Sequence, residues 1–122
     1  MPDFVKALRS FRYAIRGIFQ LFSTENNAKI HLIAGILAIF LGLSLGLSRI
    51  EWCILIIQIT VVFAAEAFNS AIEKLSDVLS PEHHPVVGIL KDIAAGGVLL
   101  VAAGSVLTGI LLFLPRILDL LS

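Results

Sequence analysis

The chain has 122 residues, of which 58% are hydrophobic, well above the roughly 45–50% of ordinary soluble domains, and its mean hydropathy is +1.00. We therefore predict a single membrane domain over residues 1–122. A formal net charge of zero argues against a nucleic-acid binder, and a single cysteine, Cys53, excludes an internal disulfide.

Residues 4–22 have the pattern of an amphipathic helix, with apolar side chains recurring at helical spacing on one face. The other face carries the cations Lys6, Arg9, Arg12 and Arg16. Such a helix is too polar to span a membrane, and we predict that it lies at the interface with its cations on anionic headgroups. The alternative is a solvated charged face on a helix that docks on protein. Residues 23–27 then predict a turn and a helix cap.

Three apolar runs predict three membrane-spanning helices, so the fold class is all-α and integral to the membrane. Residues 30–47 form a nearly uncharged run of 18 residues, about 27 Å long as a helix and close to the hydrocarbon thickness. The second span is predicted over residues 52–74. The third is predicted over residues 93–114, ended by Pro115 and Arg116.

The connections between the spans are short. Residues 48–51 supply a polar return before Trp52, a residue type favoured at the membrane interface. Residues 80–85 contain Pro81 and Pro85, which disfavour helix and predict a turn. Basic residues are concentrated before the first span, which predicts a cytoplasmic amino terminus and a carboxyl terminus outside.

An acidic stripe follows the second apolar run without a break. At about 100° per residue, one narrow helix face carries Glu66, Asn69, Ser70, Glu73 and Asp77. Glu66 lies ~21 Å along the helix from Trp52, in the far third of the bilayer. A carboxylate without a partner at that depth costs several kcal/mol, which indicates a catalytic or cation-binding role. A neutralised packing carboxyl is the alternative.

The predicted topology brings further polar residues to the same membrane face, since Glu25 precedes the first span and Lys91 and Asp92 precede the third. Mg²⁺ typically takes one or two carboxylates and completes its shell with substrate phosphates, which Lys91 could also contact. A carboxylate held partly out of water suits proton abstraction from a lipid hydroxyl. Phosphoryl transfer needs mainly positioning and charge neutralisation, so a small bundle could perform it.

Several of these residues also have a structural interpretation. Glu73 could be a solvated charge, and Lys91 could extend its ammonium to the interface. A zinc site from Glu82, His83 and His84 is a weaker alternative, because adjacent histidines rarely share a metal in this way. The rival function is a non-catalytic membrane protein whose carboxylates bind cations or line a pore.

Three segments together carry a family signature. They are Glu66-Ala-Phe-Asn-Ser-Ala-Ile-Glu73, the downstream Lys91-Asp92-Ile-Ala-Ala-Gly-Gly, and Glu25-Asn-Asn-Ala-Lys-Ile-His31 before the first span. In these motifs and in its order of helices, the chain resembles the small prokaryotic diacylglycerol kinases, a family that includes undecaprenol kinases. The resemblance implies a homotrimeric inner-membrane enzyme that transfers the γ-phosphate of MgATP to a lipid alcohol at the cytoplasmic face.

The resemblance also implies roles for individual residues. Glu66 matches the general base, and Glu25 and Glu73 match the carboxylates that hold Mg²⁺ with the nucleotide. The implied ATP-binding residues are Tyr13, Glu25, Asn69, Glu73, Glu82, His84, Lys91 and Asp92. The implied partners are ATP, a membrane lipid alcohol, the bilayer and two further copies of the chain.

Two departures from the enteric diacylglycerol kinases bear on the acceptor. His31, with Asn27 and Lys29, stands where the enteric type has a more acidic segment, and His84-Pro85 precedes the Lys-Asp pair. Both features resemble the undecaprenol kinase branch. We therefore expect undecaprenol rather than diacylglycerol as the acceptor.

Overall fold

The structure, a computed structural model, describes residues 1–80, 82 and 84–122. These residues form four helices and no strands, which confirms the all-α fold class. The helices are α1 (Phe4–Thr24), α2 (Asn26–Leu45), α3 (Arg49–Leu79) and α4 (Pro85–Leu121). The last three are each long and apolar enough to cross a membrane, whereas α1 is amphipathic.

The helices are longer than most of the predicted spans. The 31 residues of α3 extend about 46 Å, whereas a hydrocarbon core measures about 30 Å. Both α3 and α4 therefore continue into the headgroup region, where polar side chains are solvated. The first span, predicted over residues 30–47, is the only one that extends beyond its helix, because α2 stops at Leu45. The turn predicted at residues 80–85 includes Pro81 and His83, which lie outside the described residues.

A single residue, Glu25, joins α1 to α2, so the longer turn predicted over residues 23–27 is wrong. The last turn of α1 packs onto the bundle instead of unwinding. Leu21 is buried, and the Phe22 ring meets Phe63 of α3 edge-on with 5.1 Å between centroids. The chain is redirected by an extended backbone at Glu25, with φ −95° and ψ 118°.

The turn after α2 begins at Gly46, whose φ of 73° is a left-handed conformation that favours glycine. Ser48 then starts α3 with a capping box, because its hydroxyl accepts from the Glu51 N–H and the Glu51 carboxylate accepts from the Ser48 N–H. The predicted return at residues 48–51 is therefore mostly helix. The Ser48 N–H and the Arg116 guanidinium lower the pKa of Glu51, which precedes the apolar run.

The helix α4 continues through Pro115, so the prediction that Pro115 and Arg116 end it is wrong. Contacts fix the chain on both sides of the proline. Phe113 is buried just before it, and Arg116 just after it donates to the Gly46 carbonyl at 3.3 Å and pairs with the Glu51 carboxylate. Proline is tolerated in such helices where neighbouring groups compensate for the lost backbone hydrogen bond.

Gly42 sets the close approach between α2 and the start of α3. A Cβ at this position would lie 2.9 Å from both the Leu47 Cδ1 and Trp52 Cη2 atoms. We expect Gly42→Val to lower the free energy of unfolding by about 1–3 kcal/mol, the usual cost of overpacking, measured by denaturation in detergent micelles. The matched control is Gly17→Val, since a Cβ at Gly17 meets nothing within 4 Å. Equal stability of the two variants would contradict this close packing.

Candidate functional site

Two ion pairs bring the predicted polar residues to one end of the bundle. Glu25, between α1 and α2, lies with its carboxylate 3.0 Å from Lys74 Nζ near the end of α3. Lys91, in the second turn of α4, lies with its Nζ 2.8 Å from the Asp77 carboxylate. The α1–α2 junction, the end of α3 and the start of α4 therefore meet, and we call this region the acidic end.

A charged cluster at the acidic end consists of Glu73, Asp77, Lys91 and Asp92. The hydrogen bond that Lys91 donates to Asp77 raises the pKa of the ammonium, although partial desolvation opposes this effect. The negative charges of Asp77, Glu73 and Asp92 add smaller increases. Lys91 thus remains a cation that faces three carboxylates. Because this cluster is largely solvent-exposed, its ion pair contributes little to stability and can exchange partners.

The carboxylates predicted to hold a metal lie in the same region. Glu25 contacts Lys74, the residue next to the exposed Glu73. In the part of the chain that the structure describes, no group of three His, Cys, Asp or Glu side chains could hold a metal ion. Two carboxylates with phosphate oxygens, however, form the donor set that Mg²⁺ commonly takes. The residues present fit a nucleotide-bound Mg²⁺ better than a metal held by protein alone.

Glu66 is the most deeply buried large side chain of the described residues, with 1% of its surface exposed. Its Oε1 atom lies 3.2 Å from Nε2 of His31 on α2. The two groups are not aligned as a hydrogen bond, and among the described residues Oε1 has no hydrogen-bond partner. Ser70, one turn further along α3, is 5% exposed, and its hydroxyl also lacks a partner within the described ranges.

The position of Glu66 along α3 indicates its depth. Glu66 follows Glu51, at the opposite end of the bundle, by fifteen residues, or about 22 Å of helix. In a core about 30 Å thick this depth is in the third nearest the acidic end. Glu73 follows about 10 Å beyond Glu66, at the level of the headgroups. A lipid hydroxyl and a soluble nucleotide could therefore meet between these two carboxylates.

Two other predicted ATP-binding residues, Asn69 and Tyr13, lie on different helices. Asn69 is half-buried on α3 between Glu66 and Glu73. Tyr13 lies on α1, about 18 Å along the chain from Glu25, and its exposed ring packs against the Arg16 guanidinium at 5.7 Å. Asn69 therefore lies on the same stripe of α3 as Glu66 and Glu73, and Tyr13 lies about three helical turns before the α1–α2 junction.

The connection between α3 and α4 contributes exposed side chains to the acidic end. Glu82 is exposed, and His84 caps α4 by accepting a 3.2 Å hydrogen bond at Nδ1 from the Val86 N–H. His83, a ligand in the alternative zinc site, lies outside the described residues. His84 and Glu82 therefore border the charged cluster along the chain, seven and nine residues before Lys91.

A cavity of about 230 Å³ lies between α2, α3 and α4, with His31 on its wall. Its lining is mostly apolar and extends to Phe113, near the other end of α4. The Ser105 hydroxyl donates a 3.0 Å hydrogen bond to Gln58 Oε1 across it. The shape and lining suit an apolar chain that extends into the membrane from the level of Glu66.

Sequence reasoning missed three partners at this site. Asp77 was placed on the acidic stripe without a partner, and Lys74 was given no role, but they pair with Lys91 and Glu25. His31 was noted only as a departure within the family resemblance, yet it contacts Glu66. The signal for His31 was present, because an ionisable side chain inside an apolar run is the same feature that singled out Glu66.

Comparison with known proteins agrees with this geometry. The profile of the prokaryotic diacylglycerol kinase family matches residues 12–113. The chain is 38% identical to the undecaprenol kinase of Bacillus subtilis (strain 168), over 89% of each chain. It is 36% identical to a diacylglycerol kinase of Synechocystis sp., over 93% of this chain and 66% of that one. Identity to the diacylglycerol kinase of Escherichia coli (strain K12) is 27%, over 86% of each.

The fold, the buried carboxylate and these similarities together define a membrane lipid kinase, an enzyme that phosphorylates a lipid with ATP. The rival interpretation as a non-catalytic cation-binding protein is not favoured. The chain belongs to the prokaryotic diacylglycerol kinase family.

Proposed function

We propose that this kinase transfers the γ-phosphate of MgATP to the primary hydroxyl of undecaprenol at the cytoplasmic face of the inner membrane. The observation that carries the proposal is the buried Glu66 carboxylate, at lipid depth and about 10 Å along α3 from Glu73 of the charged cluster. The 38% identity to an undecaprenol kinase supports the acceptor. Diacylglycerol is the second candidate, supported by the diacylglycerol kinase that is 36% identical.

In the proposed reaction Glu66 is the general base. It accepts the proton of the lipid hydroxyl while the lipid oxygen attacks the γ-phosphorus, and ADP leaves with the electron pair of the broken P–O bond. Burial of Glu66 supports this role, because its Oε1 atom is held away from bulk water and has no hydrogen-bond partner among the described residues. The buried Ser70 hydroxyl, one turn away, supports binding of the acceptor hydroxyl, since it has no hydrogen-bond partner among the described residues.

The acidic end binds the nucleotide in this proposal. Glu25 and Glu73 would bind Mg²⁺ together with the phosphates of the nucleotide. Lys91 would neutralise phosphate charge once its ammonium exchanges Asp77 for the phosphate. The remaining ATP-binding residues are Tyr13, Asn69, Glu82, His84 and Asp92. Mg²⁺ bound there would neutralise charge on the transferred phosphoryl group. The ion pair of Glu25 with Lys74 supports the arrangement, because it joins the α1–α2 junction to the end of α3 that carries Glu73.

We further infer a homotrimer with a cytoplasmic amino terminus. Glycines on α4 leave open space around them that a neighbouring helix could fill. They are Gly96, Gly97, Gly104 and Gly109. Five basic residues precede the first apolar run, which supports the orientation.

A competition assay tests the acceptor. Purified kinase in mixed micelles would receive radiolabelled ATP, Mg²⁺ and equimolar undecaprenol and diacylglycerol. We expect undecaprenyl phosphate as the major labelled product, and we expect chelation of Mg²⁺ to abolish product formation because phosphate charge is then uncompensated. Preferential labelling of diacylglycerol would establish the second candidate, and labelling of neither lipid would contradict both.

A further inference from the structure

The side chain of His31 lies next to the Glu66 carboxylate. Its Nε2 atom lies 3.2 Å from Glu66 Oε1. The two side chains differ in their access to the surroundings, because 24% of the His31 side chain is exposed and only 2% of the Glu66 side chain. A proton taken up by Glu66 therefore has a direct neighbour whose side chain is less buried than Glu66 itself.

The walls around His31 offer no competing acceptor. Of the described residues that line the adjoining cavity, His31 is the only one with a basic side chain. The polar groups of that lining, such as Gln58 and Ser105, are uncharged and bonded to each other. Imidazole is the side chain that most readily takes up and releases a proton near neutral pH.

We propose that His31 is a positioning residue that receives the catalytic proton from Glu66 and passes it out of the site. The inference rests on the proposed role of Glu66 as the base. In the reaction the lipid O–H bond breaks and its proton moves to Glu66, while the new P–O bond forms and ADP departs. The proton then moves from the Glu66 carboxyl to Nε2 of neutral His31, which restores the carboxylate. The imidazolium then gives up the proton from Nδ1 toward the membrane interface at the acidic end.

Two substitutions separate proton transfer from packing. His31→Gln keeps a neutral hydrogen-bonding side chain near Glu66 but cannot carry a proton, and His31→Ala leaves space beside an existing cavity of about 230 Å³. We expect kcat to fall about 10²-fold in both, within the range for general acid–base steps. The KM for ATP should be unchanged, because His31 lies away from the charged cluster.

Exogenous imidazole supplies the decisive measurement. We expect it to restore kcat of His31→Ala several-fold in a concentration-dependent manner, and to leave His31→Gln and Glu66→Gln unchanged. Wild-type kcat in His31→Gln, or no rescue of a His31→Ala protein that still binds ATP and elutes like the wild type, would overturn the inference. Inactive Glu66→Gln with fully active His31→Ala would refute the relay alone, whereas active Glu66→Gln would refute the base on which it rests.

Discussion

Glu66→Gln should lower kcat for lipid phosphorylation by about 10²–10⁴-fold, the range that general acid–base catalysis contributes. Glutamine has nearly the same shape as glutamate, so the buried site stays filled, but its amide cannot accept the hydroxyl proton. Removing a buried charge that lacks a hydrogen-bond partner among the described residues should not destabilise the helix bundle. The measurement is the initial rate of product formation in mixed micelles, together with ATP binding and oligomer size.

The same substitution at the other end of α3 provides the control. Glu51→Gln removes a carboxylate that pairs with Arg116, far from the acidic end. We expect only a small loss of stability, as for other partly exposed ion pairs, and a kcat close to that of the wild type. A Glu66→Gln enzyme with normal turnover, or an equal loss of turnover in Glu51→Gln, would remove Glu66 from the base role.

Lys91→Met should reduce kcat/KM for ATP by about 10–10²-fold, with kcat/KM for the lipid less affected. A hydrogen bond to a charged group is worth about 1.5–3 kcal/mol, and every 1.4 kcal/mol is a factor of ten. In the structure the ammonium is held by Asp77 at 2.8 Å and faces Glu73 and Asp92. Methionine keeps most of the aliphatic length of the side chain but cannot contact phosphate. Steady-state kinetics with varied ATP give the measurement.

Asp77→Asn distinguishes nucleotide binding by Lys91 from a structural ion pair. This variant weakens the pair between α3 and α4 but keeps the ammonium, so we expect kcat/KM for ATP within a few-fold of the wild type. If Asp77→Asn lost as much activity as Lys91→Met, the pair itself, rather than contact with ATP, would explain the effect.

The kinds of helix could be predicted from the sequence, but several of their ends could not. Apolar runs and amphipathic spacing depend on local sequence and identified all four helices. Their ends depend on contacts between distant residues. Helix α4 continues through Pro115, and Arg116 just after it contacts Gly46 and Glu51. Helix α1 continues to the residue before Glu25, and its last turn contacts α3 through Phe22 and Phe63.

The site residues, too, could be predicted where they depend on one helix but not where they depend on contacts between helices. Glu66 stood out because a carboxylate inside an apolar helix is costly, and its position along one helix fixed its depth. The contact of His31 with Glu66 joins α2 to α3, and that of Glu25 with Lys74 joins the α1–α2 junction to α3. Such pairings depend on how the helices rotate against each other, which a single sequence does not specify.

The contact between Arg116 and Glu51 has a consequence for the membrane around the enzyme. It ties the start of α3 to the last turns of α4, and α3 then holds Glu66 about 22 Å from that contact. In the proposed reaction, the acceptor hydroxyl belongs to the opposite leaflet, whose separation from the first depends on the acyl chains of the host lipids. The length of α3 is therefore constant, whereas the thickness of the surrounding bilayer varies with its lipids. Turnover should pass through an optimum as host chain length is varied, because only one thickness brings the alcohol level with the base.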